Sequence, residues 1–214
     1  MLRNHIMSGK FIVFEGIDGS GKSTQSKLLF ERLKEKNVPC ALTAEPTASN
    51  IGKLIRSNFS NTINLNEHTV AGLFLADRLE HILNEEDGIL KTLTSGIHVI
   101  CDRYYLSSYA YHGVHVDMDW VMACNAKCAE LAKPDLHLFI DVNPELSMER
   151  ISASRETTER YETFENLKRV RQKYLEAIEI QKSNENIHII DGNKGIKTIS
   201  DSIYEVVSAI LPFT

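Results

Sequence analysis

No apolar run in the 214 residues approaches the roughly 20 needed to cross a bilayer, so no membrane-spanning helix is expected. The opening MLRNHIMSGK is too polar for the apolar centre of a secretory signal, and residues 1–9 are expected to form a short flexible leader before the first strand. Cysteine is scarce: Cys40, Cys101, Cys124 and Cys128 form no CxxC pair and no metal-like cluster with histidine. Cys124 and Cys128 stand one helical turn apart and fit two small helix residues better than a soft-metal pair. A reduced, cytoplasmic protein is expected. Positive charge is not in excess, and a net charge of −5 argues against a general nucleic-acid binder while leaving room for a local basic pocket. There is no internal repeat, no low-complexity linker and no NKxD-type guanine reader.

What remains is a globular composition, 43% hydrophobic and 25% charged, of a length that suits one domain over residues 1–214. Short β-branched runs alternate with longer segments of helical period, the pattern of an α/β fold with a parallel sheet between two helical layers. Five strands are expected at Phe11–Glu15, Pro39–Ala44, His98–Cys101, Leu136–Asp141 and Ile187–Ile190. Each is near-continuously apolar, as strands buried on both faces should be. Helices are expected at Lys22–Lys36, Ile51–Asn58, Glu67–Asn84, Met118–Ala132, Pro144–Ala153, Thr163–Ser183 and Thr198–Leu211. In Glu67–Asn84, Leu75, Leu79 and Ile82 share a core-facing stripe, and Phe74, Arg78 and His81 share a second side suited to a cleft. In Thr163–Ser183, Phe164, Leu167, Tyr174 and Ile178 form one packed stripe.

The stretch FEGIDGSGKST, Phe14–Thr24, carries the most specific chemistry. Gly16, four residues, then Gly21-Lys22-Ser23 fits GxxxxGK[ST] between an expected strand and an expected helix. Glycines let backbone amides converge on phosphate oxygens, Lys22 adds a point charge, and Ser23 can ligate Mg²⁺. The loop alone does not separate GTPases, ATPases and small-molecule kinases. A kinase with a phosphorylated acceptor needs further cations, because two phosphates brought together repel. Asp102 and Arg103 follow directly on the strand at His98–Cys101, at the strand end where open α/β sheets bind ligands. Arg103 suits an acceptor phosphate, and Asp102 suits Mg²⁺ or its waters.

With these residues the chain resembles the thymidylate kinase family, through FIVFEGIDGSGKSTQ, AEPTASNIGKLIR, LFLADRLEH, CDRYYLSSYAYHG, DLHLFIDV, ERYE and the final IIDGN. The resemblance spans nearly the whole chain. It implies a phosphate-loop three-layer fold with a short lid, at residues 152–162, and transfer of a phosphoryl group from ATP-Mg²⁺ to dTMP on the route to dTTP. By resemblance, Asp18 accepts a hydrogen bond from the acceptor's sugar hydroxyl, Phe74 stacks on thymine, and Arg78 bonds a thymine carbonyl. Ser107 and Ser108 lie near the base edge, and Tyr111 packs where a 2′-hydroxyl would project. Glu45 and Pro46 match a strand-end motif, and Arg56 an arginine that reaches the acceptor phosphate. Without the family, Arg56 would read as a solvated helix residue, and Phe74 and Tyr111 as core. Ala44 stands where some relatives carry arginine, which leaves Arg56 and Arg103 as the main acceptor-phosphate ligands.

Some members of the family keep a catalytic arginine in the phosphate loop and others in the lid. Asp18-Gly19-Ser20 offers no cation, so the role is expected to fall to Arg155, with Arg160 supporting or sharing it. Lys22, Arg103, Asp102 and those two arginines form the expected catalytic set. Gly16 through Thr24 with Arg150 form the expected ATP site, Arg150 facing adenine. The resemblance also implies a homodimer. Two rivals remain at this point: a nucleoside kinase using Glu15 as base, and a nucleotide-dependent switch without turnover.

Overall fold

The computed structural model describes residues 9–60, 62–154 and 161–211. Five strands, β1 (Phe11–Glu15), β2 (Cys40–Ala44), β3 (His98–Asp102), β4 (Leu136–Asp141) and β5 (Ile187–Asp191), form one parallel sheet in the order β2-β3-β1-β4-β5. β1 lies at the centre, with Phe14 beside Asp102 on one side and Leu138 on the other. All five strands end on the same edge, at Glu15, Ala44, Asp102, Asp141 and Asp191. In an open parallel sheet that edge is the ligand-binding one.

Period-two alternation sends neighbouring strand residues to opposite layers. Ile12, Phe14, Ile100, Leu138 and Ile140 pack with Leu29 and Leu33 of α1 (Lys22–Glu35) and Ile199, Ile203 and Val207 of α9 (Ile196–Ser208). Phe11, Val13, Val99, Cys101 and Phe139 face the other way. There they meet α3 (Glu67–Leu83), α5 (Tyr105–His112), α6 (Met118–Leu131) and α8 (Phe164–Gln181). The remaining described helices are α2 (Asn50–Phe59), α4 (Ile89–Thr94) and α7 (Pro144–Ser154). Caps follow from local chemistry: Ser49, Asn66, Asp117 and Thr163 each accept from a backbone N–H in the first turn of the helix they open.

Several expectations need correction. β2 and β5 are sheet edges and only partly buried, so their apolar runs do not report burial on both faces. Helices α4 and α5 are additional to the expected seven. α4 has only six residues, too short for a periodic signal, and α5 has almost every residue buried, which erases the polar face that periodicity detects. Phe164 does not join the stripe of Leu167, Tyr174 and Ile178, because it opens the helix at 36% exposure.

Candidate active site

The phosphate loop leaves the end of β1 and enters α1 at Lys22. Gly19 has φ +75°, and a Cβ there would come 2.5 Å from the Ser147 carbonyl oxygen. Gly21 caps α1 at φ +96°, again a left-handed conformation that favours glycine. Lys22 Nζ donates to the Ile17 carbonyl at 2.7 Å and approaches Ser20 Oγ at 3.4 Å. Burial pushes its pKa down to about 8, the Arg103 charge adds to the fall, and Asp18, Asp102 and Glu15 oppose it. Asp18 through Gln25 form one wall of a cleft of about 600 Å³, with Asp102, Arg103, Arg150, Glu45 and two α9 isoleucines completing it. Gly16 lies just behind, at the strand end. Arg150 donates to the carbonyls of Gly192 at 3.0 Å and Ser20 at 3.5 Å.

At the end of β3, Ser23 Oγ donates to Asp102 Oδ2, while Asp102 Oδ1 is buried with no hydrogen-bond partner among the described residues. A hydroxyl and a carboxylate with a spare oxygen, opening onto the phosphate cleft, are the donor set a hard cation takes. Arg103 follows at φ +75°, an uncommon backbone for a residue with a Cβ. That turn aims its guanidinium back at the loop, where it pairs with Asp18 Oδ1 and lies 5.0 Å from the Tyr111 ring. Burial alone would lower the Arg103 pKa, but Asp18 and the neighbouring tyrosines push it well up. Tyr111 closes the cluster, its hydroxyl donating to Asp18 Oδ2 at 2.8 Å and accepting from the Asp18 N–H at 2.9 Å.

Beyond Arg103 lies a second cavity of about 240 Å³. Its lining combines the charged Asp18, Arg56, Glu67, Arg103 and Glu162 with Pro46, Phe59, Phe74, Ser107, Ser108, Tyr111 and His112. Arg56 is not a loose surface cation: it donates to the Pro46 carbonyl at 2.9 Å and to the Thr47 carbonyl. That loop is pinned in turn by buried Asp77, which accepts from Thr47 N (2.7 Å), Thr47 Oγ1 (2.6 Å) and Ser49 Oγ (2.8 Å).

Arg78 sits at 1% exposure and lines neither cavity. Its Nε and Nη2 bond Glu45 Oε2 at 2.8 and 2.7 Å, and Nη1 donates to Ser108 Oγ at 2.9 Å and Asn125 Oδ1 at 2.5 Å. It therefore stands directly behind Ser108. His81, expected on the cleft side, instead meets Thr43 and Glu45. Ser107 donates to Glu15 Oε2 at 2.5 Å. Glu15 is fully buried, lines neither cavity, and has its carboxyl pKa raised by that burial. A base for a nucleoside hydroxyl is thus not presented there.

Arg155 and Arg160 lie outside the described residues. Tyr161 and Glu162, at the end of the segment expected as a lid, line the second cavity, and Tyr161 donates to Glu67 Oε2 at 3.0 Å. Sequence reasoning did not find Phe59, Glu67, His112, His115, Tyr161 or Glu162 as cavity residues. For His112 a signal existed: recognising α5 as a helix would have put it one turn beyond Ser108. Tyr161 and Glu162 stood in the ERYE motif without a role assigned to them; Phe59, Glu67 and His115 carry no shared pattern.

A phosphate loop at the end of a central parallel strand, sharing Asp18 and Arg103 with a second, acceptor-sized cavity, defines a nucleotide-dependent phosphotransferase. Comparison with known proteins narrows this. The family model for thymidylate kinase matches residues 14–203, and the chain belongs to that family. It is 37% identical to a probable thymidylate kinase of Pyrococcus horikoshii, over 94% of this chain and 97% of that one. It is 36% identical to a thymidylate kinase of Ligilactobacillus salivarius (94% and 99% covered). It is 37% identical to one of Leptospira borgpetersenii (92% of each).

Proposed function

We propose that the chain phosphorylates dTMP to dTDP with ATP, the acceptor phosphate lying between Arg56 and Arg103 and the ATP phosphates on the loop from Asp18 to Thr24. The observation that carries this is the join between the cavities: Arg103 lines both, so one cation faces acceptor and donor. The two anions can then approach without full mutual repulsion. The acceptor oxygen is already anionic and needs no strong general base. Lys22 holds donor phosphate charge, and Asp18, fixed by Arg103 and Tyr111, orients the acceptor sugar. Phe74 stacks on the base, and Arg78 acts on it from behind Ser108.

Ser23 and Asp102 are the residues that would hold Mg²⁺, as the unpartnered Asp102 oxygen suggests. When bound there, the ion supplies charge neutralisation at the donor phosphate oxygens. Arg155, with Arg160, supplies the lid charge that the phosphate loop lacks. No described helix is long and apolar enough to cross a membrane, and the four cysteines are free, which supports a cytoplasmic setting. We also propose a homodimer, on the family resemblance, and sedimentation would test it. A coupled ADP-release assay with dTMP, dUMP, dCMP, dAMP, UMP and thymidine tests the reaction. Preference for dTMP is the expected result; turnover of thymidine without dTMP would overturn the proposal.

A further inference from the structure

Behind the phosphate loop lies a buried chain of oxygens to which phosphoryl transfer, as described above, gives no task. Glu15, the last residue of β1, is fully buried. Arg103 and Arg78 act on it without pairing with it, being paired with Asp18 and Glu45. Its Oε1 accepts from the Tyr104 N–H at 3.1 Å. Its Oε2 lies 2.5 Å from Ser107 Oγ and 3.1 Å from Tyr174 Oη. Those two hydroxyl oxygens are 2.7 Å apart, and Tyr174 Oη lies 3.2 Å from the Gly16 carbonyl oxygen. Ser107 lines the second cavity and Gly16 opens the phosphate loop, so the chain runs from one site to the other.

Protons decide the charge of this chain. Glu15 to Ser107, Ser107 to Tyr174 and Tyr174 to Gly16 are three consecutive contacts, and each needs one proton to be a hydrogen bond. With an ionised carboxylate, Ser107 donates to Oε2, and only the tyrosine proton remains for the other two. One pair of oxygens then faces without a proton, beside a fully buried negative charge. Protonation of Oε2 supplies the third proton and turns the first bond round: Glu15 donates to Ser107, Ser107 to Tyr174, and Tyr174 to Gly16. Every contact is then filled. Burial, the largest influence, raises the Glu15 pKa, against His137, the Ser107 bond, Arg103 and Arg78, which lower it. Lys22 of α1 is a further cation within reach of its field. Cys101, Tyr104, Tyr109 and Tyr174 around it are kept in their neutral forms by burial.

We propose that Glu15 is a positioning residue: held as a neutral carboxylic acid, it orders Ser107 and Tyr174 so that Tyr174 donates to the Gly16 carbonyl, and it leaves the Arg103 charge to the two phosphates. This rests on Arg103 facing both acceptor and donor. An ionised Glu15 would add a second carboxylate to Asp18 in the field of Arg103, and the phosphates would meet a weaker cation. The Gly16 carbonyl would also compete with Ser107 for the one tyrosine proton, its other donor being Arg103 Nη1 at 3.5 Å.

The test is a difference infrared spectrum at neutral pH between wild type and Glu15→Gln, which keeps the side-chain shape and an N–H donor. An ordinary glutamate, with a pKa of about 4.3, is ionised there. Loss of a carboxylic-acid C=O band in the variant is the expected result; loss of a carboxylate band instead overturns the proposal. Kinetics test the positioning role. Glu15→Gln should keep kcat/KM for dTMP within about threefold, because the amide N–H takes the place of the acid O–H. Glu15→Leu, of similar size with neither donor nor acceptor, should lower it about tenfold or more, the worth of one buried hydrogen bond and its unmet partner. A Leu variant as active as wild type, or a Gln variant about tenfold below it, overturns the role. Should the Leu variant not fold, the infrared band and the Gln variant still decide. The band does not depend on the acceptor: if dTMP is not turned over, the acceptor reading has failed, while the spectrum still places the Glu15 proton.

Discussion

Replacing Lys22 with methionine should abolish turnover and yet stabilise the ligand-free protein. Lys22 is 5% exposed and its pKa falls from an ordinary 10.5 to about 8, with burial the largest cause. At about 1.4 kcal/mol per tenfold change in acidity, keeping the charge folded costs about 3 kcal/mol at neutral pH. Methionine has a similar length and no charge to bury. It forfeits the bond to the Ile17 carbonyl, worth about 1 kcal/mol, which leaves a net gain of about 2 kcal/mol. For a chain of this size that raises the melting temperature by roughly 4–8 °C. The pH arm fixes the cause. Below pH 8 the full cost is present; between pH 8 and 10.5 the folded lysine is neutral while the unfolded one is still charged, and the cost shrinks to nothing. The gap between variant and wild type should therefore be constant below pH 8, shrink through zero as pH rises, and reverse to about 1 kcal/mol in favour of wild type near pH 10.5, where only the Ile17 bond still counts. Denaturant melts of both proteins across that range are the assay. A variant no more stable than wild type at pH 7, or a gap that does not close, would refute the reasoning.

Arg155→Ala should lower kcat by roughly 10³-fold with little change in KM for dTMP, and a larger loss from Arg160→Ala would exchange their roles. Tyr111→Phe removes the hydroxyl that holds the Asp18 carboxylate and should raise KM for dTMP about five- to tenfold, whereas Tyr111→Ala should also narrow the preference for dTMP over UMP. Asp77→Ala leaves Thr47 and Ser49 donors unmet and should cost about 3 kcal/mol in urea unfolding, with a raised KM because Arg56 is positioned through the same loop. If Asp77→Ala unfolds like wild type, the loop is held by other means.

The central strands and the phosphate loop were legible because each rests on local chemistry. Phe11–Glu15 is apolar because it is buried on both faces, and Gly19 and Gly21 are glycine because their backbones are left-handed. Edge strands β2 and β5 share the apolar composition without the burial, so composition alone could not rank them. α5 was missed for the opposite reason: with both flanks packed, it shows no polar stripe. Among site residues, Phe74 was visible as a motif position, but the depth of Arg78 was not. Its place behind Ser108 depends on Glu45 and Asn125, which come from distant segments. Sequence spacing puts a side chain on a helix face; what lies between that face and a ligand is set by the neighbours.

Those neighbours also explain why Lys22 alone among the site's cations with a resolved shift has its pKa lowered. Arg78 is buried as deeply but faces Glu45, and Arg103 faces Asp18, and for both the attraction overcomes the burial cost. Arg56 is exposed and anchored by carbonyls. Lys22 bonds a neutral carbonyl and a hydroxyl, with Arg103 repelling it, and no carboxylate lies within ion-pairing distance among the described residues. A carboxylate partner there would remove the strain, but it would also occupy the charge that a phosphate must find free. Among the site's cations with a resolved shift, the burial cost thus goes unmatched only where an incoming polyphosphate relieves it, so ATP binding should tighten as the Lys22 charge is matched. On this argument the Lys22→Met stabilisation and its loss of nucleotide binding are one effect seen from two sides, and a variant showing either without the other would separate them.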